Sequence, residues 1–388
     1  MKTRTLLGLL TSGLVVGMLA VACGADATPT PAPTATAPPL SATATPIPTA
    51  LEMLIEEAKA EGGKIIAIDG LYDTPKEQTE AMAAMEAMFG MTLSYFYAPS
   101  PGGSQNTFTA QLIKEAEAGV TPSSDLVRGT TATLPLANRA GILEIVDWAQ
   151  FLPGRINDRA LGGVDYALAT STRIGGVQYN TDLVPPGAVP QTMEDLLDPR
   201  WDGLLASTSY AAVWDRASIE VDGSWDAPKA ARILGILTEL VEIGNLAGIV
   251  NCGEDTRIVS GEFAMLVFQC GDNSTRKLKA EGAPVDFAYL PAVSNVTNTY
   301  VSLLKGAQYP ASAKLHQIFV QTEEGQALSL KFDYTDSWAY EGNIMFDVVK
   351  DIEARGVPIP VIDLAVYELS FDDVQEVKAL MRIVIRGG

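Results

Sequence analysis

Basic blocks, a second histidine and catalytic signatures are what this chain lacks. Its 27 Lys and Arg residues face 47 Asp and Glu, giving a formal net charge of −20, and no Lys/Arg block exists to grip phosphates. Nucleic acid is therefore a poor partner, and the acidity reads first as solubility. The single histidine, His316, has no second His with which to build a zinc site. It reads as a surface or cap residue rather than a catalyst. No GxSxG elbow, HExxH pair, GxxxxGK phosphate loop or GxGxxG fingerprint occurs. A hydrolase built on two carboxylates stays open, because sequence does not give their separation. Nothing specific favours it. After residue 21 no apolar run approaches the ~18 residues of a membrane span, so no later membrane segment is expected.

What is present begins with an export signal. Lys2 and Arg4 precede an apolar run over residues 6–21, with the small residues Ala20 and Ala22 just before Cys23. This pattern suits ordinary signal cleavage and also resembles the bacterial lipoprotein signal, in which the cysteine becomes a lipidated N-terminus. Residues 24–50 are almost wholly Ala, Thr, Pro and Ser, with Asp26 the only charge, a composition that forms no core. At about 3.1 Å per residue such a tether reaches roughly 80 Å from a membrane.

Cysteine is scarce, at three residues. With Cys23 lipidated, Cys252 and Cys270 remain as an even pair that an oxidising compartment is expected to join. Two buried thiols are the alternative.

Residues 51–388 are long enough for two domains of about 100–200 residues each. Leu51, Leu54, Ile55 and Ala58 recur at helical spacing before Gly62-Gly63, and residues 64–68 read as a strand. Helix over 75–89, strand over 91–97, helix over 107–118, a short strand at 125–127 and a helix over 134–140 follow. The alternation predicts an α/β layer structure with a largely parallel sheet. Loops 69–73, 99–106 and 128–133 then leave the carboxyl ends of the strands, where ligands bind in such sheets. They carry Tyr72, Ser104, Gln105, Arg128 and Thr130. Ser104 and Gln105 precede a helix start, which favours an anionic group; capping and turning are the plain alternative. Farther on, 173–179 reads as a strand, 227–243 as a helix and 263–268 as a strand ending in the polar loop 269–275. Residues 314–330 read as one amphipathic helix.

Several segments, in order, resemble the solute-binding proteins of ABC importers, in the two-lobed group that includes iron(III), polyamine, thiamine and phosphonate binders. They are Ala58-Lys59-Ala60-Glu61-Gly62, then residues 112–119 with Pro122, Asp125 and Leu126. Tyr179-Asn180-Thr181-Asp182-Leu183 followed by residues 195–203 is the most specific match. Gly261-Glu262, residues 280–285, Leu304-Lys305-Gly306-Ala307 and Glu323-Glu324-Gly325-Gln326 complete the series.

The resemblance implies a two-lobed periplasmic-binding-protein-like type II fold with hinge strands between lobes. Its layout would be a signal peptide over 1–22, a tether over 23–50, a first lobe of 51–181 with 291–335, and a second of 182–290 with 336–388. It places the ligand in the interlobe cleft and implies hinge closure. The far wall would come from residues 207–214 and 269–275, with Ser207, Tyr210, Trp214, Asp272, Asn273 and Ser274 as candidates. Iron binders of this group carry two adjacent tyrosines after the Gly-Glu strand, where this chain has Cys270-Gly271-Asp272-Asn273-Ser274. Iron(III) prefers hard anionic oxygen donors, so a small polar organic or anionic solute is expected instead, with iron(III) and polyamine as alternative ligands. Arg128 suits a carboxylate or phosphonate, and Tyr72, Tyr210 and Trp214 suit stacking. The expected partners are the solute, an ABC permease with its ATPase, and the membrane through lipid on Cys23. No cofactor is implied, a monomer is expected, and a ligand-sensing domain or exported hydrolase on the same scaffold is the rival reading.

Overall fold

The structure, a computed structural model, describes residues 49–68, 72, 74–98, 105–209, 213–291 and 293–387. The export signal, Cys23, all but the last residues of the tether, Ser104 and Tyr210 lie outside the described residues. Among them, the strands are β1 (Lys64–Ile68), β2 (Ser94–Ala98), β3 (Leu126–Gly129), β4 (Leu168–Ile174), β5 (Gly176–Asn180), β6 (Leu205–Ser207), β7 (Leu246–Ile249), β8 (Met265–Gln269), β9 (Val285–Ala288), β10 (Val296–Leu303) and β11 (Val361–Ile362). They form two sheets. The first runs β11-β10-β3-β1-β2 with β4 also on β10, and the second runs β7-β6-β8-β5-β9.

The expected strand and helix alternation builds the first sheet. Helices Pro75–Phe89 and Gln105–Glu117 follow β1 and β2, which are parallel neighbours. Thr74 caps the first of these in a reciprocal box with Glu77, and Pro75 sits at its first turn, where a missing N–H costs nothing. Ile65, Met85, Leu126, Leu168, Val301 and Phe319 form one core against this sheet. Leu205, Trp214, Ile233, Leu237 and Phe268 form another against the second sheet.

Two carboxylates, the buried Asp125 and the half-buried Glu61, tie the first lobe together. Asp125 accepts from Ile66 N at 2.7 Å with one oxygen and from Gln308 N at 2.6 Å and Tyr309 N at 3.1 Å with the other. Glu61 accepts from Ala311 N and Ser312 N, closing the start of helix Pro310–Gln321. In the second lobe Asn180 donates to Ile258 O and Val259 O and accepts from Asp182 N.

Four expectations are corrected. Residues 173–179 are two strands: the chain changes sheet at Gly175, ahead of the Asp182 expected, with 168–174 paired to β10 and 176–180 to β8 and β9. Both hinge positions need glycine because neither has room for a Cβ. At Gly175 it would lie 2.3 Å from Val213 Cγ2, and at Gly176 2.6 Å from Ala288 O. Residues 314–330 are likewise two helices, Pro310–Gln321 and Glu323–Asp333, broken at Thr322, whose hydroxyl caps the second. His316 is 1% exposed, neither surface nor cap, because its helix is covered on nearly every side. Residues 336–388 do not all join the second sheet, since β11 pairs with β10 in the first.

Candidate ligand cleft

The two sheets meet where β4 runs into β5 and β9 returns to β10. The crossings are bonded to each other: Gly175 N donates to Asn295 O at 3.1 Å. Asn295 is fully buried; its amide donates to Val213 O and Val293 O and accepts from Arg216 Nε at 3.1 Å. β3 and β4 are both antiparallel to β10, so they are parallel to each other and their carboxyl ends point the same way. That end of the first sheet faces the junction.

Side chains on one face of this sheet change character toward that end. Leu126 pairs with Leu303, and Val301 pairs with Leu168, all in the apolar core. Arg128, which also pairs with Val301, begins the polar part; Ser171 with Thr299 and Arg173 with Thr297 continue it. Since side chains alternate along a strand, positions 297, 299 and 301 share a face, and so do their partners. Arg128 and Arg173 are half-buried, with Nε of each withdrawn from solvent. Thr297 is 6% exposed and its hydroxyl has no hydrogen-bond partner among the described residues.

From the second lobe, the segment after β8 approaches the same spot. A Cβ on Gly271 would lie 2.9 Å from Arg173 Cβ and 3.0 Å from its Cδ, so this backbone rests on the arginine stem. Asp272 is fully buried and turns to the hinge: it accepts from Ile174 N at 3.2 Å and Tyr289 Oη at 3.0 Å, with Arg276 Nε 3.6 Å away. Burial holds its carboxyl above the usual carboxylate range, against the pull of Arg276 and these donors. Asn273 begins a helix rather than extending a loop, and donates to Asp333 O. Ser274 lies 3.5 Å from Gln269 Nε2, which also bonds Asp255 and Gln178. Cys270 is joined to Cys252 by a disulfide of 2.00 Å.

The candidates read from sequence thus divide. Arg128 sits on the polar face, and Thr130 just after it shapes a turn, its hydroxyl accepting from Ala132 N. Gln105 opens its helix half-buried. Tyr72 is buried against Tyr95, His316 and Phe332, and that burial raises its phenol pKa, with Asp333 adding to the shift. Trp214 lies in the second core with its ring edge-on to Phe268 at 4.4 Å. Ser207 is fully buried and its hydroxyl donates to Thr208 O. Asp272 is spent on the hinge. Arg173, Thr297 and Gly271 also lie at this end of the sheet and were not among the residues read from sequence; for Arg173 the available signal was a charge inside an otherwise strand-like apolar and Thr-rich run.

No family model and no curated protein matches the chain. Solved structures do. Iron-bound HitA from Pseudomonas aeruginosa is 16% identical with a TM-score of 0.61, over 83% of this chain and 99% of that one. The periplasmic binding protein AgtB from A. tumefaciens R10, in complex with agropinic acid, is 15% identical at 0.61, over 82% and 98%. FutA from Trichodesmium, in complex with iron and citrate, is 15% identical at 0.60, over 83% and 99%. Two sheets joined by paired crossings, matched across almost the full length of these proteins, give this chain the two-lobed fold of the ABC-transporter substrate-binding proteins.

Proposed function

We propose that this protein is an exported, membrane-tethered receptor that captures a small polar organic or anionic solute between its lobes and delivers it to an ABC permease and its ATPase. The observation that carries this reading is the hinge: two bonded crossings, Gly175 against Asn295, separate sheets whose facing edges carry Arg128, Arg173, Thr297 and the segment after β8. Such a junction lets lobes move about a few residues while each core stays intact. The solved relatives bind iron, iron with citrate, or agropinic acid. Of these, the organic anion fits the residues better. The segment where iron binders of the resembling group carry paired tyrosines is here Cys270-Gly271-Asp272-Asn273-Ser274, in which Asp272 and Asn273 are already bonded to Ile174, Tyr289 and Asp333. Lipid on Cys23 and the extended segment after it supply the tether.

Mass spectrometry of molecules released on denaturing protein purified from its own host tests the reading, together with a thermal-shift screen of small solutes. A cognate solute at a hundredfold excess over Kd stabilises the folded form by about 2.7 kcal/mol. No released molecule and no shift with any solute would overturn it. Loss of uptake on deleting the protein distinguishes transport from sensing.

A further inference from the structure

We propose that Arg216 anchors the anionic end of the solute, holding a carboxylate or a phosphonate on the two guanidinium nitrogens that the protein leaves open. The inference rests on the receptor reading and names the group by which the solute is held. Arg216 ends a short 3-10 turn, Trp214–Arg216, in the segment that follows β6. β6 runs parallel to β8, and β8 ends at Gln269 opposite the hinge residue Gly176. This segment therefore leaves the second sheet at the edge that meets the crossings, where ligands bind in such sheets. Nε of Arg216 donates to Asn295 Oδ1 at 3.1 Å, which fixes the guanidinium against the second crossing. It also lies within electrostatic reach of Tyr367, whose cluster takes in Ala132 from the loop after β3 of the first sheet. The head of this side chain is thus set between the lobes.

What this arginine lacks is a counter-charge. The residue is 8% exposed, yet Nη1 and Nη2 make no hydrogen bond and no ion pair among the described residues. Neither is closed off from solvent, in contrast with Nε and Nη1 of Arg276. Asp215, its neighbour in sequence, turns instead to Lys378 at 3.3 Å. A guanidinium stays charged at any physiological pH, and withdrawing it from water is costly unless an opposite charge meets it. An anion entering the cleft supplies that charge. With Nε spent on Asn295, Nη1 and Nη2 remain as an end-on fork, which matches two oxygens of a carboxylate or phosphonate with parallel hydrogen bonds. The backbone just ahead supports the same reading. Val213, although β-branched, is held at a φ of 79° with its carbonyl accepting from Asn295 Nδ2 and Arg216 N. Such strained conformations gather where a ligand is clamped. Val213 also crowds Gly175, so an anion on Arg216 bears on both crossings of the hinge.

Titration calorimetry on the full mature chain tests this with succinate and citrate as carboxylates, methylphosphonate and inorganic phosphate as tetrahedral oxyanions, spermidine as a cation and glucose as a neutral solute. At least one of the four anions is expected to bind, and which pair binds the tighter tells a carboxylate from a phosphonate. Arg216→Gln should weaken that binding by about 30-fold, the loss of charged hydrogen bonds. Arg216→Lys, which keeps the charge but not the fork, should fall between. Circular dichroism establishes that each variant is folded, and Arg216→Lys keeps the test open should Arg216→Gln not fold. Protein purified from its own host gives a second readout: mass spectrometry should find a molecule bearing a carboxylate or phosphonate on the wild type and little of it on Arg216→Gln. Binding confined to spermidine or glucose, anion binding untouched by both variants, or a released molecule that has no anionic group or that Arg216→Gln retains equally, overturns the Arg216 anchor while leaving the receptor reading in place. If none of the six solutes binds and the host-purified protein releases no molecule, both fall.

Discussion

His316 is the chain's only histidine, and both of its ring nitrogens are buried without a hydrogen-bond partner among the described residues. The ring stacks on Tyr95 at 5.5 Å between centroids and meets the edge of Tyr72 at 5.8 Å. Burial disfavours the imidazolium and lowers its pKa from 6.5 to about 4. The unfolded chain binds the proton first, so the contribution of neutral His316 is complete above pH 6.5 and is lost as pH falls toward 4. At 1.36 kcal/mol per pKa unit the loss is roughly 3 kcal/mol. His316→Phe fills the same aromatic site without a titrating group. Its melting temperature should therefore decline less than that of the wild type between pH 6.5 and 4, while at pH 7.5 the two stay close or the variant is the more stable. Parallel pH profiles for the two proteins would show that His316 carries no such linkage. Sequence misplaced this residue for a physical reason. Lys314 is only half-buried, but Leu315, His316, Gln317, Ile318, Phe319, Val320 and Gln321 are all buried, and a hydrophobic period cannot register a helix covered on nearly all sides.

At the scale of elements, the segment after β8 does more than line a wall. Its disulfide joins Cys270 to Cys252, which follows the edge strand β7, across the intervening β6. Gln269 then fixes the turn by accepting from Cys270 N while donating to Asp255. Two residues beyond the cysteine, Asp272 holds the hinge amide of Ile174. Closing a loop of this length, 18 residues apart in sequence, stabilises a fold by about 3 kcal/mol through the unfolded chain. Replacing both cysteines by serine should lower unfolding free energy by about that amount in urea titration. It should also speed amide exchange in residues 270–275 more than in the helix Pro75–Phe89. Uniform exchange would mean the bond stabilises globally without organising this segment. The pairing was legible from cysteine parity and the strand–loop–helix alternation from periodicity. The hinge was not: Arg173, Ile174, Val177 and Tyr179 read as one continuous strand, and what divides it is long-range pairing, of the residues before Gly175 with β10 and of those after it with β8 and β9. The arginine face escaped for a related reason, because it is assembled from β3, β4 and β10, strands brought together by pairing across the sheet.

For the whole molecule, the segments that carried the family resemblance are those that tie the fold together. Glu61 and Asp125 bond the first lobe, Asn180 the second, and the Trp201 indole donates to Asp195 O. They make the two-lobed architecture readable and say little about the ligand. The C-terminus adds a tie that sequence did not suggest. Helix Leu364–Leu369 lies on the first lobe, with Ala365 N donating to Gly162 O and Glu368 accepting from Tyr166 Oη at 2.6 Å. Helix Phe371–Gly387 then enters the second core through Val377, Met381 and Ile385, and Lys378 meets Asp215 at 3.3 Å, both largely buried. One short stretch therefore packs on both lobes of a chain whose charge of −20 opposes compaction. Truncation after Asp363 removes those three apolar side chains, each worth about 1.5–3 kcal/mol, and leaves Asp215 without its cation. The second lobe should lose roughly 5 kcal/mol and melt ahead of the first, so calorimetry of the truncated protein should show two transitions where the intact protein shows one. A single transition at the original temperature would mean that the paired crossings at Gly175 and Asn295 couple the lobes without this strap.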